Sequence, residues 1–197
     1  MLAHGANPNA RQTKEINDGN RNNLDRVGST PFLLAAKHAD ALLMRLLAEH
    51  GADPHVTTQG HTSPLMAAAG VGLFNMGESA GTNEEALEAV TLAYELGNTD
   101  VNAADDRGWT ALHGAALRGA NDIVQFLVEK GARFDATTKE EGWTPLRIAD
   151  GIFYTGTVKR FDQTAELIRQ LMKARGLPVP VKDPNDVADP TKKVAQQ

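Results

Sequence analysis

One pattern of residues returns along the 197-residue chain, and it limits the possible folds more than any other feature. Its clearest copy opens Gly108-Trp109-Thr110-Ala111-Leu112-His113-Gly114-Ala115-Ala116, continues through Ile123-Val124-Gln125-Phe126-Leu127-Val128, and closes at Gly131-Ala132. An earlier copy runs Gly28-Ser29-Thr30-Pro31-Phe32-Leu33-Leu34-Ala35-Ala36, then Leu42-Leu43 and Leu46-Leu47, then Gly51-Ala52-Asp53-Pro54. Between them, Ser63-Pro64-Leu65-Met66-Ala67-Ala68-Ala69 is answered by Ala86-Leu87-Glu88-Ala89-Val90 and Gly97. The last copy is Gly142-Trp143-Thr144-Pro145-Leu146-Arg147-Ile148-Ala149 with Ala165-Glu166-Leu167-Ile168-Arg169-Gln170-Leu171-Met172. A unit this small cannot bury its own apolar face, so copies must stack on one another to make a core.

Each copy reads as two short helices. Thr30-Pro31 and Thr144-Pro145 set a capping hydroxyl before a proline in the first helical turn, where a missing N–H goes unnoticed. The alanine pairs Ala35-Ala36 and Ala115-Ala116 let a second helix approach closely, and Ile123, Phe126 and Leu127 give that helix one apolar face. Gly51, Gly97, Gly131 and Gly176 fall where a helix ends on a residue tolerant of positive φ. The short stretch that follows, such as Ala132-Arg133-Phe134-Asp135-Ala136, suits an extended hairpin leading to the next unit.

These residues resemble the ankyrin repeat family, whose unit is a hairpin and two antiparallel helices with a Thr-Pro-Leu-His-type start. The resemblance implies an all-α solenoid of helix-turn-helix units joined by β-hairpin-like loops, over residues 1–176. On this reading residues 1–10 are a partial repeat, 11–27 an inserted hairpin, and 28–59, 60–107, 108–141 and 142–176 the full repeats. Residues 177–197, broken by proline and lysine, read as a disordered or surface-bound tail. Insertions at 73–85 and 152–163 lengthen the turn between the two helices of their units, and equivalent positions in a solenoid emerge on one edge. Because Met1-Leu2 matches only the end of a second helix, an open apolar end is expected there, with self-association through it. Asp150 replaces the second alanine of the other units, which suits a closing cap.

Composition narrows the function. A net charge of −5 argues against a phosphate-backbone binder, so nucleic acid is not an expected partner. No run of 18 apolar residues exists to span a membrane, and Met1 does not open a charged and then apolar leader. With no cysteine the redox compartment leaves no mark, and localisation stays open. His4, His38, His50, His55 and His61 show no helical i, i+4 pair with a carboxylate, so neither a metal nor a cofactor is expected, although His55 and His61 lie near one hairpin.

The family's usual role, by resemblance, is to bind a protein partner through hairpin tips and first helices. Trp109 and Trp143 hold equivalent places on consecutive hairpins, and with Arg107 they have the composition of an interface hot spot; the other reading is that each indole packs on its neighbouring hairpin. Lys37, His38, Leu117 and Arg118 fall by register on first helices and would complete that surface. An alternative chemistry lies in one insertion. Gly77-Glu78-Ser79-Ala80-Gly81 fits the G-x-S-x-G turn of a serine ester hydrolase, with Asp100, Asp105 or Asp106 and then His113 in hydrolase order. Against it, such an enzyme needs a large, mostly parallel sheet, whereas the flanking segments already belong to helical repeats. His113 also holds the histidine position of the repeat, which implies bonds to backbone and threonine. The primary expectation is therefore a binding module without catalysis.

Overall fold

The computed structural model describes residues 5–16, 23–74 and 81–181. Among these residues eight helices fall in pairs: α1 (Pro31–Lys37) with α2 (Ala41–Glu49), α3 (Pro64–Ala69) with α4 (Asn83–Gly97), α5 (Ala111–Arg118) with α6 (Asn121–Glu129), and α7 (Pro145–Asp150) with α8 (Asp162–Ala174). The first helices pack in a row, α1 on α3, α3 on α5, α5 on α7, and the second helices α2, α4, α6 and α8 form a parallel row behind them. This is the all-α solenoid the repeats imply. One feature was not expected: β1 (Ile152–Tyr154) and β2 (Thr157–Lys159) form an antiparallel hairpin between α7 and α8.

The local chemistry is the expected one. Thr30, Ser63, Thr110 and Thr144 cap the first helices from extended backbone, each accepting the N–H three residues on, and proline follows directly at Pro31, Pro64 and Pro145. Each such cap is worth about 1 kcal/mol. Between units the chain doubles back: Thr58 N–H donates to Thr62 O, Asp105 N–H to Trp109 O, and Thr138 N–H to Trp143 O. Successive turns are then joined tip to tip, by Gln59 N–H to Val27 O at 2.7 Å, Asp106 N–H to Gly60 O at 3.0 Å and Lys139 N–H to Arg107 O at 2.8 Å. The tips thereby continue one hydrogen-bonded edge along the array and satisfy groups that single turns would leave to water. Asn9 and Asn102 tie units together further along. Asn102 Nδ2 donates to Gly131 O and its Oδ1 accepts Arg133 N–H, as Asn9 does with Gly51 O and Asp53 N–H.

Two glycines mark where backbones touch. A Cβ on Gly114 of α5 would stand 2.6 Å from Val71 N, and one on Gly70 would stand 2.7 Å from Gly114 O, so α5 and the end of α3 meet backbone to backbone. Gly97 differs from the expectation. It remains helical, and Asn98 at φ 39° takes the left-handed position, so φ does not call for glycine at 97. Gly51, Gly131 and Gly176 do hold positive φ.

At the C-terminal end, the Asp150 carboxylate meets the Arg169 guanidinium at 2.6 Å, tying α7 to α8. Of the expected tail, residues 177–181 are described, and Val179 packs partly against the core. No described helix is long and apolar enough to cross a membrane.

Candidate interaction groove

The insertions do not merely lengthen surface turns: the first and last meet over the tryptophan hairpins, and the middle one is bonded to the last. From the first, Asn23 N–H donates to Gly72 O, and Leu24 is buried against Leu33 and Ala67. From the last, the β1–β2 hairpin pairs Phe153 with Val158 and Tyr154 with Thr157. Its turn is Thr155 at φ 51° and Gly156 at φ 81°, the two left-handed residues that a two-residue hairpin turn needs. Thr155 Oγ1 donates to Phe74 O at 3.0 Å, which joins the last insertion to the middle one. Tyr154 shares a strand face with the fully buried Ile152, and so faces inward.

Tyr154 is where these segments converge. Its ring centroid lies 5.9 Å from that of Trp109 and 6.4 Å from that of Trp143, the latter edge-on at 75°. Its hydroxyl accepts from Asn23 Nδ2 at 2.9 Å, and burial pushes the phenol up from its ordinary pKa. Arg107 completes the wall: its guanidinium stands 5.9 Å from the Trp109 ring centroid, and Nη1 donates to Asn23 O. Buried Asp105 braces this arrangement. Its Oδ1 accepts the N–H groups of Arg107 and Trp109 at 2.9 Å each, and its Oδ2 accepts the Arg107 guanidinium at 3.1 Å and the Thr62 hydroxyl at 3.3 Å.

The other anticipated residues fall in different places. Trp109, Trp143, Leu117 and Arg118, expected on an open contact surface, are only 4, 5, 3 and 2% exposed. For the indoles the physical reason is the hairpin, whose tyrosine stands against both. Arg118 is drawn inward by the start of α4: Nε donates to Asn83 Oδ1 at 3.0 Å and Nη2 to the carbonyls of Gly81 and Thr82 at 3.1 Å. Arg107 and Lys37 are half-buried, and His38 is exposed with Nδ1 on Leu34 O. Asp106 is exposed at a tip, where its carboxylate meets His61 Nδ1 at 2.9 Å. His55 pairs instead with its neighbour Asp53, and the described residues hold no cluster of three or more metal-ligating side chains.

Ser79 lies outside the described residues. Its anticipated partner His113 is fully buried, with Nε2 donating to Trp143 O at 2.9 Å and Nδ1 against Thr110 N and Oγ1 at 3.1 and 2.9 Å. Sequence reasoning missed Tyr154, Asn23 and Phe74. A signal for the first was present, since Ile152-Phe153-Tyr154 and Thr157-Val158-Lys159 are β-favouring runs on either side of a two-residue turn ending in glycine.

A family model for ankyrin repeats (3 copies) matches residues 78–151, and one for a single ankyrin repeat matches residues 27–59. The chain belongs to the ankyrin repeat family. Among curated proteins it is similar to the transient receptor potential cation channel subfamily A member 1 of Homo sapiens, 31% identical over 135 residues, which covers 68% of this chain and 11% of the relative. Alpha-latrocrustotoxin-Lt1a of Latrodectus tredecimguttatus is 32% identical over 64% of this chain and 8% of its own length. The probable 26S proteasome regulatory subunit p28 of Saccharomyces cerevisiae is 31% identical over 58% of this chain and 45% of its own. The chain thus spans about a tenth of the first two relatives and under half of the third.

Proposed function

We propose that this ankyrin array binds a protein partner, without catalysis, through the side that carries the hairpin tips and the ends of the first helices. Ankyrin repeats are in general protein-interaction modules, and the relatives named above, a channel, a toxin and a proteasome subunit, share no activity in their names. The observation that carries the reading is the convergence of the first and last insertions on the Trp109 and Trp143 hairpins, with the middle one bonded to the last, because extra chain there builds a surface that stacking alone does not require. Trp109 and Trp143 form its floor and Arg107 its wall, and we assign Lys37, His38, Leu117 and Arg118 to the same side by their register on the first helices, with Leu117 and Arg118 buried as supports. The net charge of −5 supports a protein over a nucleic acid, and no membrane or cofactor is invoked. The buried, doubly bonded ring of His113 supports a structural role over that of a general base.

The test is isolation of a partner by pull-down, followed by affinity measurement on Arg107→Ala, Lys37→Ala and His38→Ala. At least one substitution is expected to cost about 1–2 kcal/mol. Unchanged affinity in all three overturns the surface assignment. An activated short-chain ester should not be cleaved above background; cleavage that disappears in Ser79→Ala would replace binding with hydrolysis.

A further inference from the structure

The groove over Trp109 and Trp143 is filled by the same polypeptide. We propose that these indoles, walled by Arg107 and Asn23, form a peptide-binding site for a tyrosine side chain, that the β1–β2 hairpin is its exchangeable resident, and that a partner enters by presenting a tyrosine in place of Tyr154. This rests on the reading of that side as the contact surface, and adds which ligand it takes and what guards it.

The cradle suits a phenol at each point. Two indoles flank the ring at 5.9 and 6.4 Å, an arrangement favoured by aromatic quadrupoles. The Asn23 amide meets the hydroxyl at 2.9 Å, so phenylalanine would leave that donor without its partner. Part of its frame is held apart from the hairpin. Asp105 holds Arg107 and the Trp109 backbone, while His113 Nε2 holds the Trp143 carbonyl. A frame set in advance lowers the ordering cost when the occupant changes.

The hairpin is the weaker party. It has two strands of three residues, a length with marginal stability of its own. Buried Ile152 anchors its base, so the part beyond can leave as a unit. At the turn Thr155, a β-branched residue, is held at φ 51°, a strained conformation that opening releases. Strain beside a functional groove is what a displaceable segment would carry.

The experiment uses the full chain with residues 153–158 replaced by an equal length of glycine and serine, and as probe a head-to-tail cyclised peptide of residues 151–160. The chain's two tryptophans are Trp109 and Trp143, so intrinsic emission reads this site alone. Replacement is expected to shift emission to the red, and the peptide to reverse the shift saturably. A peptide carrying Tyr154→Phe should bind about tenfold more weakly, and the unaltered chain should not respond. Emission that stays blue after replacement, absence of reversal, or equal binding by the phenylalanine peptide overturns the inference. None of these outcomes alters the partner measurements on Lys37 and His38. Hydrogen exchange on the unaltered protein tests the same point without a variant. Amides of 153–159 should exchange faster than those of α5, whereas exchange of both only on global unfolding overturns an exchangeable hairpin.

Discussion

His113 shows how one side chain can join two repeats and thereby make the array sensitive to acid. Bonded to Trp143 O through Nε2 and to Thr110 through Nδ1, the ring is neutral, and burial lowers its pKa from 6.5 to about 4. In the unfolded chain it titrates near 6.5, so between pH 6.5 and 4 the unfolded state binds more protons and stability falls as pH falls. The loss approaches ~3 kcal/mol by pH 4. Chemical denaturation at pH 7, 5.5 and 4 should show this slope in the native protein and a shallower one in His113→Gln; equal slopes would place the acid sensitivity elsewhere. Trp109 belongs to the same scale. Because it is buried among Tyr154, His113 and Arg107, Trp109→Ala should cost about 3–5 kcal/mol of stability, and a lowered melting temperature should accompany any loss of binding. A variant as stable as the parent would mean that the indole is not part of the packed floor.

At the scale of elements, what could be read from sequence was what is chemically local. A threonine before proline caps a helix wherever it occurs, so Thr30 and Thr144 announce α1 and α7 with no knowledge of the fold. The burial of Trp109 is of another kind. It depends on a tyrosine in a different unit, brought there by a hairpin inside what reads as a loop insertion, and pattern alone does not show that contact. The burial of Arg118 has a related cause. Its register puts it at the end of a first helix, but its partners are carbonyls in the insertion before α4, 36 and 37 residues earlier. Desolvation of the guanidinium lowers its pKa, yet the group donates three bonds there. Arg118→Ala should therefore loosen the first turn of α4 and cost about 1–3 kcal/mol. Hydrogen exchange at residues 84–86 should quicken while α6 is unchanged; uniform quickening would mean that the contact serves the whole array and not this junction.

At the scale of the whole molecule the first and last described helix pairs differ. The last helix, α8, exposes Gln163, Glu166, Gln170 and Lys173, a surface at ease in water. Helix α2 instead exposes Leu42, Leu43 and Leu46, at 80, 39 and 44%. Aligning the closing glycines Gly51 and Gly131 sets Leu43 level with Ile123 and Leu46 with Phe126. Ile123 is fully buried, and Phe126 packs edge-on against Tyr94 of the preceding unit at 5.8 Å. The leucine face of α2 thus corresponds to the face on which α6 receives a neighbouring second helix. An apolar stripe of this kind favours contact with a further helix, and we propose that a second copy supplies it through its own α2. Sedimentation over a range of concentrations should show a larger species in the native protein and a shift toward monomer in Leu43→Glu/Leu46→Glu. Because both leucines already meet solvent, that variant should keep its stability within ~1 kcal/mol, whereas Ile123→Glu should unfold the array. A native protein that remains monomeric at the highest concentration, or a double variant that associates as strongly, would remove α2 as the contact between copies.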